Sequence, residues 1–174
     1  MQCTFISLYR FWHHFTTYIL KLLIETHVFP HILYCLSVWG GANKSQLYRI
    51  QKLINFAARV VTGTRRRERI SPALKTLGWK RVEDLIAERD VVKVHKALYG
   101  EHGPSAVRDM FVRRSVVSTR HTRASCAGRL DLTKCRLTLT QKSFRYRAAT
   151  AWNRLPASVM DCSSLSAFKS ALNS

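Results

Sequence analysis

Asn43-Lys-Ser-Gln-Leu-Tyr-Arg-Ile-Gln-Lys-Leu-Ile-Asn-Phe-Ala-Ala-Arg-Val-Val-Thr-Gly63 carries the clearest periodicity in the chain. Its apolar positions Leu47, Ile50, Ile54, Ala57, Ala58 and Val61 recur at steps of three and four, the spacing that gathers side chains on one face of an α-helix. Asn43 stands where an N-cap belongs, and Gly63 where a left-handed residue ends a helix. The opposite face shows Lys52, Asn55 and Arg59. An apolar inside and a basic outside, joined on one helix, is the theme that the neighbouring segments repeat.

Upstream, residues 19–28 read as a helix with Ile19, Leu20, Leu23 and Ile24 inward. Pro30 forces a break before a second apolar piece, residues 32–39, which Gly40-Gly41 ends. Residues 5–36 are rich in aromatic and aliphatic side chains. Arg10, His13, His14, Lys21 and Glu25 nevertheless interrupt them before an uncharged span of about 20 residues accumulates, and no small-residue cleavage site follows. No membrane partner is expected, an N-terminal anchor being the lesser alternative.

Downstream, Thr64-Arg-Arg-Arg-Glu-Arg69 is a basic connector. Ser71-Pro72 reads as an N-cap followed by an N1 proline and opens a short helix to Leu77, and Gly78 separates it from the longest helix, residues 79–99. There Ala87, Val91, Val94 and Leu98 form a stripe for packing, with Arg89, Lys93 and Lys96 opposite. From Phe111 to Thr140 periodicity weakens to short alternations such as Leu137-Thr-Leu139, with β-branched Val112, Val116 and Val117. Extended segments or a small hairpin are expected there. The tail, Ser143-Phe-Arg-Tyr-Arg-Ala-Ala-Thr-Ala-Trp-Asn-Arg-Leu-Pro156, returns to helix. Phe144, Ala148, Ala151, Trp152 and Leu155 fall on one side, Arg147, Thr150, Asn153 and Arg154 on the other, and Pro156 stops it. The fold expected is mainly α, a helical bundle with an irregular basic segment or small β-hairpin before the C-terminal helices. Three segments follow: 1–64, 65–110 and 111–174.

Charge narrows the function. The 174 residues include 29 Lys+Arg against 10 Asp+Glu, a formal charge of +19 with a pI near 10.6. Folding therefore crowds like charges that an anionic partner, above all nucleic acid, would neutralise. A hydrophobic share of 47% is too high for a disordered basic tail. Five scattered cysteines without a Cys-x-x-Cys pair suit free thiols in a reducing, intracellular setting, cytoplasmic and nuclear. The candidate nucleic-acid-binding residues are Lys52 and Arg59, then Arg65, Arg66 and Arg67 of the connector, and Arg89, Lys93 and Lys96 of the long helix. To these the C-terminal region adds Arg113, Arg114, Arg120, Arg123, Lys142, Arg145, Tyr146, Arg147 and Arg154. Interleaved serines and threonines can donate to phosphate, and Phe144 and Tyr146 can stack on unpaired bases. The pattern implies backbone binding without sequence readout.

The tail pattern Phe-x-Tyr-Arg…Trp-Asn-x-Leu-Pro, followed by Leu165, Phe168 and Lys169, resembles the extreme C-terminus of reverse transcriptases of non-LTR retrotransposons of the jockey-like LINE group. The resemblance continues upstream in family order. It takes in Leu20-Lys-Leu-Leu-Ile-Glu-Thr-His-Val28, Pro30-His-Ile-Leu-Tyr34 and Trp39, then Leu47, Ile50-Gln51, Ala57-Ala58-Arg59, Thr62-Gly63, Leu74, Leu77-Gly78-Trp79, Lys96, Gly100, Pro104 and Thr119-Arg120. It covers about residues 19–172; Arg81-Val-Glu-Asp-Leu-Ile-Ala-Glu-Arg89 lacks the doubled arginine often seen in that helix. The resemblance implies thumb-like helices and a C-terminal region that hold primer and template, downstream of the polymerase active site.

Catalysis is not expected of this chain. The parent polymerase would use Mg²⁺ held by an Asp-Asp pair, because two metal ions must hold the attacking and leaving oxygens of nucleotide transfer. No Asp-Asp occurs here, and Glu25 is the sole acid before Glu68. Glu83-Asp84 are adjacent but sit early in a helix, where neighbours point about 100° apart. His27 and His31 have metal-ligand spacing, yet Pro30 lies between them and no third ligand appears. No Gly-rich phosphate loop is present. No cofactor and no small-molecule substrate are therefore expected. The rival readings are a standalone helical module that binds protein partners, and a degenerate transposon-derived reading frame.

Overall fold

The computed structural model describes residues 15–100, 105–117, 128–132 and 134–173. They form a mainly α fold: α1 (Thr17–His27), α2 (Phe29–Leu33), α3 (Leu36–Trp39), α4 (Lys44–Thr62), α5 (Ser71–Leu77), α6 (Val82–Tyr99), α7 (Ser105–Arg108), α8 (Arg114–Val117), α9 (Thr138–Lys142), α10 (Phe144–Trp152), α11 (Ala157–Met160) and α12 (Leu165–Asn173). Two compact units emerge where three segments were expected. The first joins the described residues up to Leu36 to Ala42–Leu85; the second joins Ser37–Gly41 to the chain from Ile86 onward. The basic connector does not part domains, because α5 folds back against α4.

In the first unit, Thr16 caps α1 by accepting from the Ile19 N–H at 3.5 Å. Leu20, Ile24, Val28 and Ile32 form a buried row at four-residue steps. That row leaves Ile19, one position off it, exposed rather than inward as its apolar character suggested. The apolar piece 32–39 is split in two by Cys35, which takes a left-handed φ of 50°. α4 buries Ile54, Ala57, Ala58 and Val61 as its periodicity implies, and Gly63 ends it with φ 68°. At its start the Asn43 N–H donates to Gln46 Oε1 at 3.2 Å, one arm of a capping box. Pro72 lies in the first turn of α5, and Gly78 closes it with φ 71°.

Glu25, so conspicuous in a basic segment, has a structural use. It accepts from the indole Nε1 of buried Trp79 at 2.8 Å, while Phe29 meets that ring edge-on at 4.9 Å. Gln51 does similar work from α4, accepting from the Val82 N–H at the start of α6 at 2.9 Å and donating to Asn55 Oδ1 at 2.8 Å.

The second unit packs around Val91, Val94, Ala97, Phe111, Leu130, Ala148, Ala149, Trp152, Val159, Met160 and Phe168. Ala87, expected in the packing stripe, is exposed; the inward row of α6 runs instead through Asp90, Val91, Val94 and Ala97. Trp152 stacks on Phe168 with ring centres 5.7 Å apart, and His95 lies against the same Phe168 at 4.4 Å. His95 Nε2 is hydrogen-bonded to the Cys162 carbonyl at 2.7 Å.

The expected hairpin reduces, among the described residues, to one antiparallel bridge between Arg113 and Leu130. The Arg114 N–H donates to the Arg129 carbonyl at 2.8 Å and the Asp131 N–H to the Val112 carbonyl at 2.9 Å. Leu137-Thr-Leu139, expected as extended, leads into α9 with both leucines exposed. An alternation of three residues carries no face to bury, so local turn geometry prevails. α10 starts after its Ser143 cap and ends at Trp152, and Pro156 caps α11 rather than stopping α10.

Candidate nucleic-acid interface

On the first unit, the outward row of α4 places Tyr48, Lys52, Phe56 and Arg59 at helical spacing along one face. With Asn55 and Arg66 they line an open groove of ≈ 880 Å³ whose lining holds no acidic side chain. Lys52 Nζ stands 4.6 Å over the ring of Tyr48. Tyr48 is 60% exposed and Phe56 41%, so the groove offers aromatic surface as well as charge.

Arg59 shapes the groove. Its Nε and Nη2 donate to the carbonyls of Arg65 at 3.4 Å and Glu68 at 3.1 Å, which folds the connector toward the end of α4. Glu68 in turn accepts from the Arg65 N–H at 3.3 Å. The turn brings Arg66 into the groove lining, with Arg65 and Arg67 exposed on the connector. A second groove of ≈ 660 Å³ runs toward Lys44 and Arg81 and shares Tyr48 and Asn55 with the first.

The second unit presents its basic residues separately. Arg89, Lys93 and Lys96 are exposed along α6, and Lys93 Nζ lies 5.6 Å from the centre of the Phe144 ring. Phe144 is half-buried and packs edge-on against Phe111 at 5.8 Å. The Arg113 guanidinium sits 5.2 Å over Tyr99, and Arg114, Arg145 and Arg154 are exposed. Tyr146 is half-buried and lines, with Arg145 and Asp131, a hollow of ≈ 180 Å³. Arg120 and Arg123 lie outside the described residues.

Arg147 has a different use from the one its helical position suggests. Its Nε donates to Asp90 Oδ2 at 2.7 Å, Nη2 to the Ser37 carbonyl at 2.7 Å and Nη1 to the Lys142 carbonyl at 3.1 Å. The Asp90 side chain is fully buried and that of Arg147 is 19% exposed. A guanidinium so engaged is a structural clamp and not a phosphate ligand. Gly41 belongs to the same arrangement, since a Cβ there would run into the Lys142 carbonyl. Lys142 itself is half-buried.

The Trp-Asn-x-Leu-Pro motif is likewise a packing device. Trp152 is buried and donates from Nε1 to the Gly128 carbonyl at 3.2 Å. Asn153, placed on the polar side by periodicity, accepts from the Leu130 N–H at 2.8 Å and donates to the Leu130 carbonyl at 2.9 Å. The antiparallel bridge turns those two groups of Leu130 away from Arg113, and the Asn153 amide satisfies both, as a neighbouring strand would. Asp90 is the residue that sequence reasoning missed. Its signal was present: Ile86, Asp90 and Val94 share one helical row, and a carboxylate inside an apolar row requires a partner.

Among the described residues, no three His, Cys, Asp or Glu side chains gather as a metal ion would require, and no helix is long and apolar enough to cross a membrane. Cys35 and Cys162 are free thiols. Comparison with protein-family models, curated proteins and solved structures finds no match to this chain.

Proposed function

We propose that this chain is the C-terminal part of a non-LTR retrotransposon reverse transcriptase, lying beyond the catalytic palm and endonuclease. In that reading it binds RNA and DNA through their phosphates without reading sequence, and in the parent protein it positions primer and template. The ordered motifs from Leu20 to Lys169 support the ancestry. One observation carries the binding: Lys52, Arg66, Arg89, Lys93 and Lys96 stand along helix faces and grooves in a chain of net charge +19. The fragment is not an enzyme in this reading, since its sequence contains no Asp-Asp pair to hold the parent's Mg²⁺. It acts inside the cell, where the parent element replicates.

Titrating a labelled oligonucleotide at rising salt tests the binding. Six to ten phosphate contacts would lower affinity by roughly 10³- to 10⁵-fold between 50 and 200 mM salt. Affinity that stays flat over that interval, or no binding at the low end, overturns the proposal. A protein-partner reading has one observation in its favour: Tyr18, Ile19 and Leu22 leave apolar surface exposed along α1, with Phe15 exposed just before it. Under that reading the salt series would be flat.

A further inference from the structure

We infer that the α4 groove is a binding site for a single nucleic-acid strand, with Tyr48 and Phe56 as surfaces for unpaired bases and Lys52 and Arg66 as phosphate ligands. The inference rests on the nucleic-acid reading above and adds the site and the strandedness. Charge alone would serve a duplex equally well. The aromatic surface does not: in a duplex the base faces are already stacked on one another, so exposed rings gain nothing from it, whereas an unpaired base has a face to offer.

The geometry suits that exchange. Lys52 covers the Tyr48 ring at 4.6 Å, a cation–π contact that is weak at an exposed site. An entering base takes its place on the ring while the ammonium moves to the adjoining phosphate, which exchanges a weak contact for a stack and a charge-assisted hydrogen bond. Asn55 lines the groove with its Oδ1 already accepting from Gln51, so its Nδ2 is the group that donates to a ligand there. Tyr48 and Asn55 also border the second groove, toward Lys44 and Arg81. The strand therefore has a path along α4 from the connector arginines to Tyr48 in the second turn of the helix, beyond which Glu83 also borders the second groove. Arg59, fixed on the carbonyls of Arg65 and Glu68, holds Arg66 in place and is a positioning residue.

The test compares oligouridylate, oligothymidylate and a mixed-sequence duplex, each of about 15 nucleotides, on the full chain at low salt. Both single strands should bind more tightly than the duplex. Tyr48→Ala and Phe56→Ala should each weaken single-strand binding roughly 5- to 150-fold, the range for loss of one base–aromatic stack, and leave duplex binding unchanged. Tyr48→Phe should retain wild-type affinity, because the ring face remains. Circular dichroism melting of each variant separates lost binding from lost folding, and both rings are exposed enough for the fold to tolerate the change. Duplex binding as tight as single-strand binding, or single-strand affinity indifferent to Tyr48→Ala and Phe56→Ala in folded protein, overturns this site while leaving the general nucleic-acid reading in place. No binding to any of the three probes overturns both.

Discussion

α4 and α10 look alike as sequence, each a helix with an apolar side and arginine on the other, yet the structure uses their arginines in opposite ways. On α4, Lys52 lines an open groove and Arg59 reaches only as far as the neighbouring connector. On α10, Arg147 turns into the second unit and closes on a carboxylate 57 positions away in sequence and on two backbone carbonyls. The difference lies in what faces each helix. Among the described residues, the groove that Lys52 and Arg59 line holds no acidic side chain, whereas α10 meets Asp90, which would otherwise be a buried unpaired charge. A basic residue on the polar face of an amphipathic helix thus stays open to solvent only where no distant carboxylate claims it.

The most severe way to break that comparison is Arg147→Ala. It strands Asp90 inside the protein and should cost about 3–5 kcal/mol, read as a lower denaturation midpoint in urea. If instead the midpoint holds and nucleic-acid affinity falls, Arg147 is a ligand after all and the contrast between the two helices fails. Asn153→Ala probes the same unit more gently. It leaves the N–H and carbonyl of Leu130 without their partner, a loss of roughly 1–3 kcal/mol that should also speed hydrogen exchange at the Leu130 amide. Unchanged protection at that amide would show that the side-chain mimicry of a strand contributes nothing.

The smallest stability effect belongs to α4 and its connector. Lys52→Ala and Arg66→Ala should each move stability by no more than about 0.5 kcal/mol. They should weaken nucleic-acid binding uniformly across sequences and lower the salt slope by about one per residue. A large drop in melting temperature for either variant would place its side chain in a clamp like that of Arg147, and the two helices would no longer differ.

Much of the helical framework was legible. The boundaries of α4 and α5 follow from Asn43, Gly63, Pro72 and Gly78, whose effects are local, and the burial of Val91, Val94, Ala148 and Trp152 follows from periodicity. The site was only partly legible. Lys52, Arg59 and Arg66 were nominated by charge and helical spacing, but nothing local announced that Tyr48 and Phe56 would border the same groove, or that Arg59 would hold the connector in place. The pairing before the C-terminal helices was legible only in outline: among the described residues it is one bridge at Arg113 and Leu130, and Asn153, far along the chain, completes its hydrogen bonding.

The amino-acid sequence by itself determined that this protein is mainly α, where several of its helices begin and end, and that it carries a large positive charge, because capping, periodicity and composition act within a few residues of their cause. Only the tertiary structure decided which arginines remain at the surface, why Asp90 can be buried, what the Trp-Asn-x-Leu-Pro motif holds and how Glu25 serves Trp79. Each of these joins groups separated by more than 20 positions. A charge or an amide takes its role from the partner that folding brings to it, and that partner is not among its neighbours in the chain.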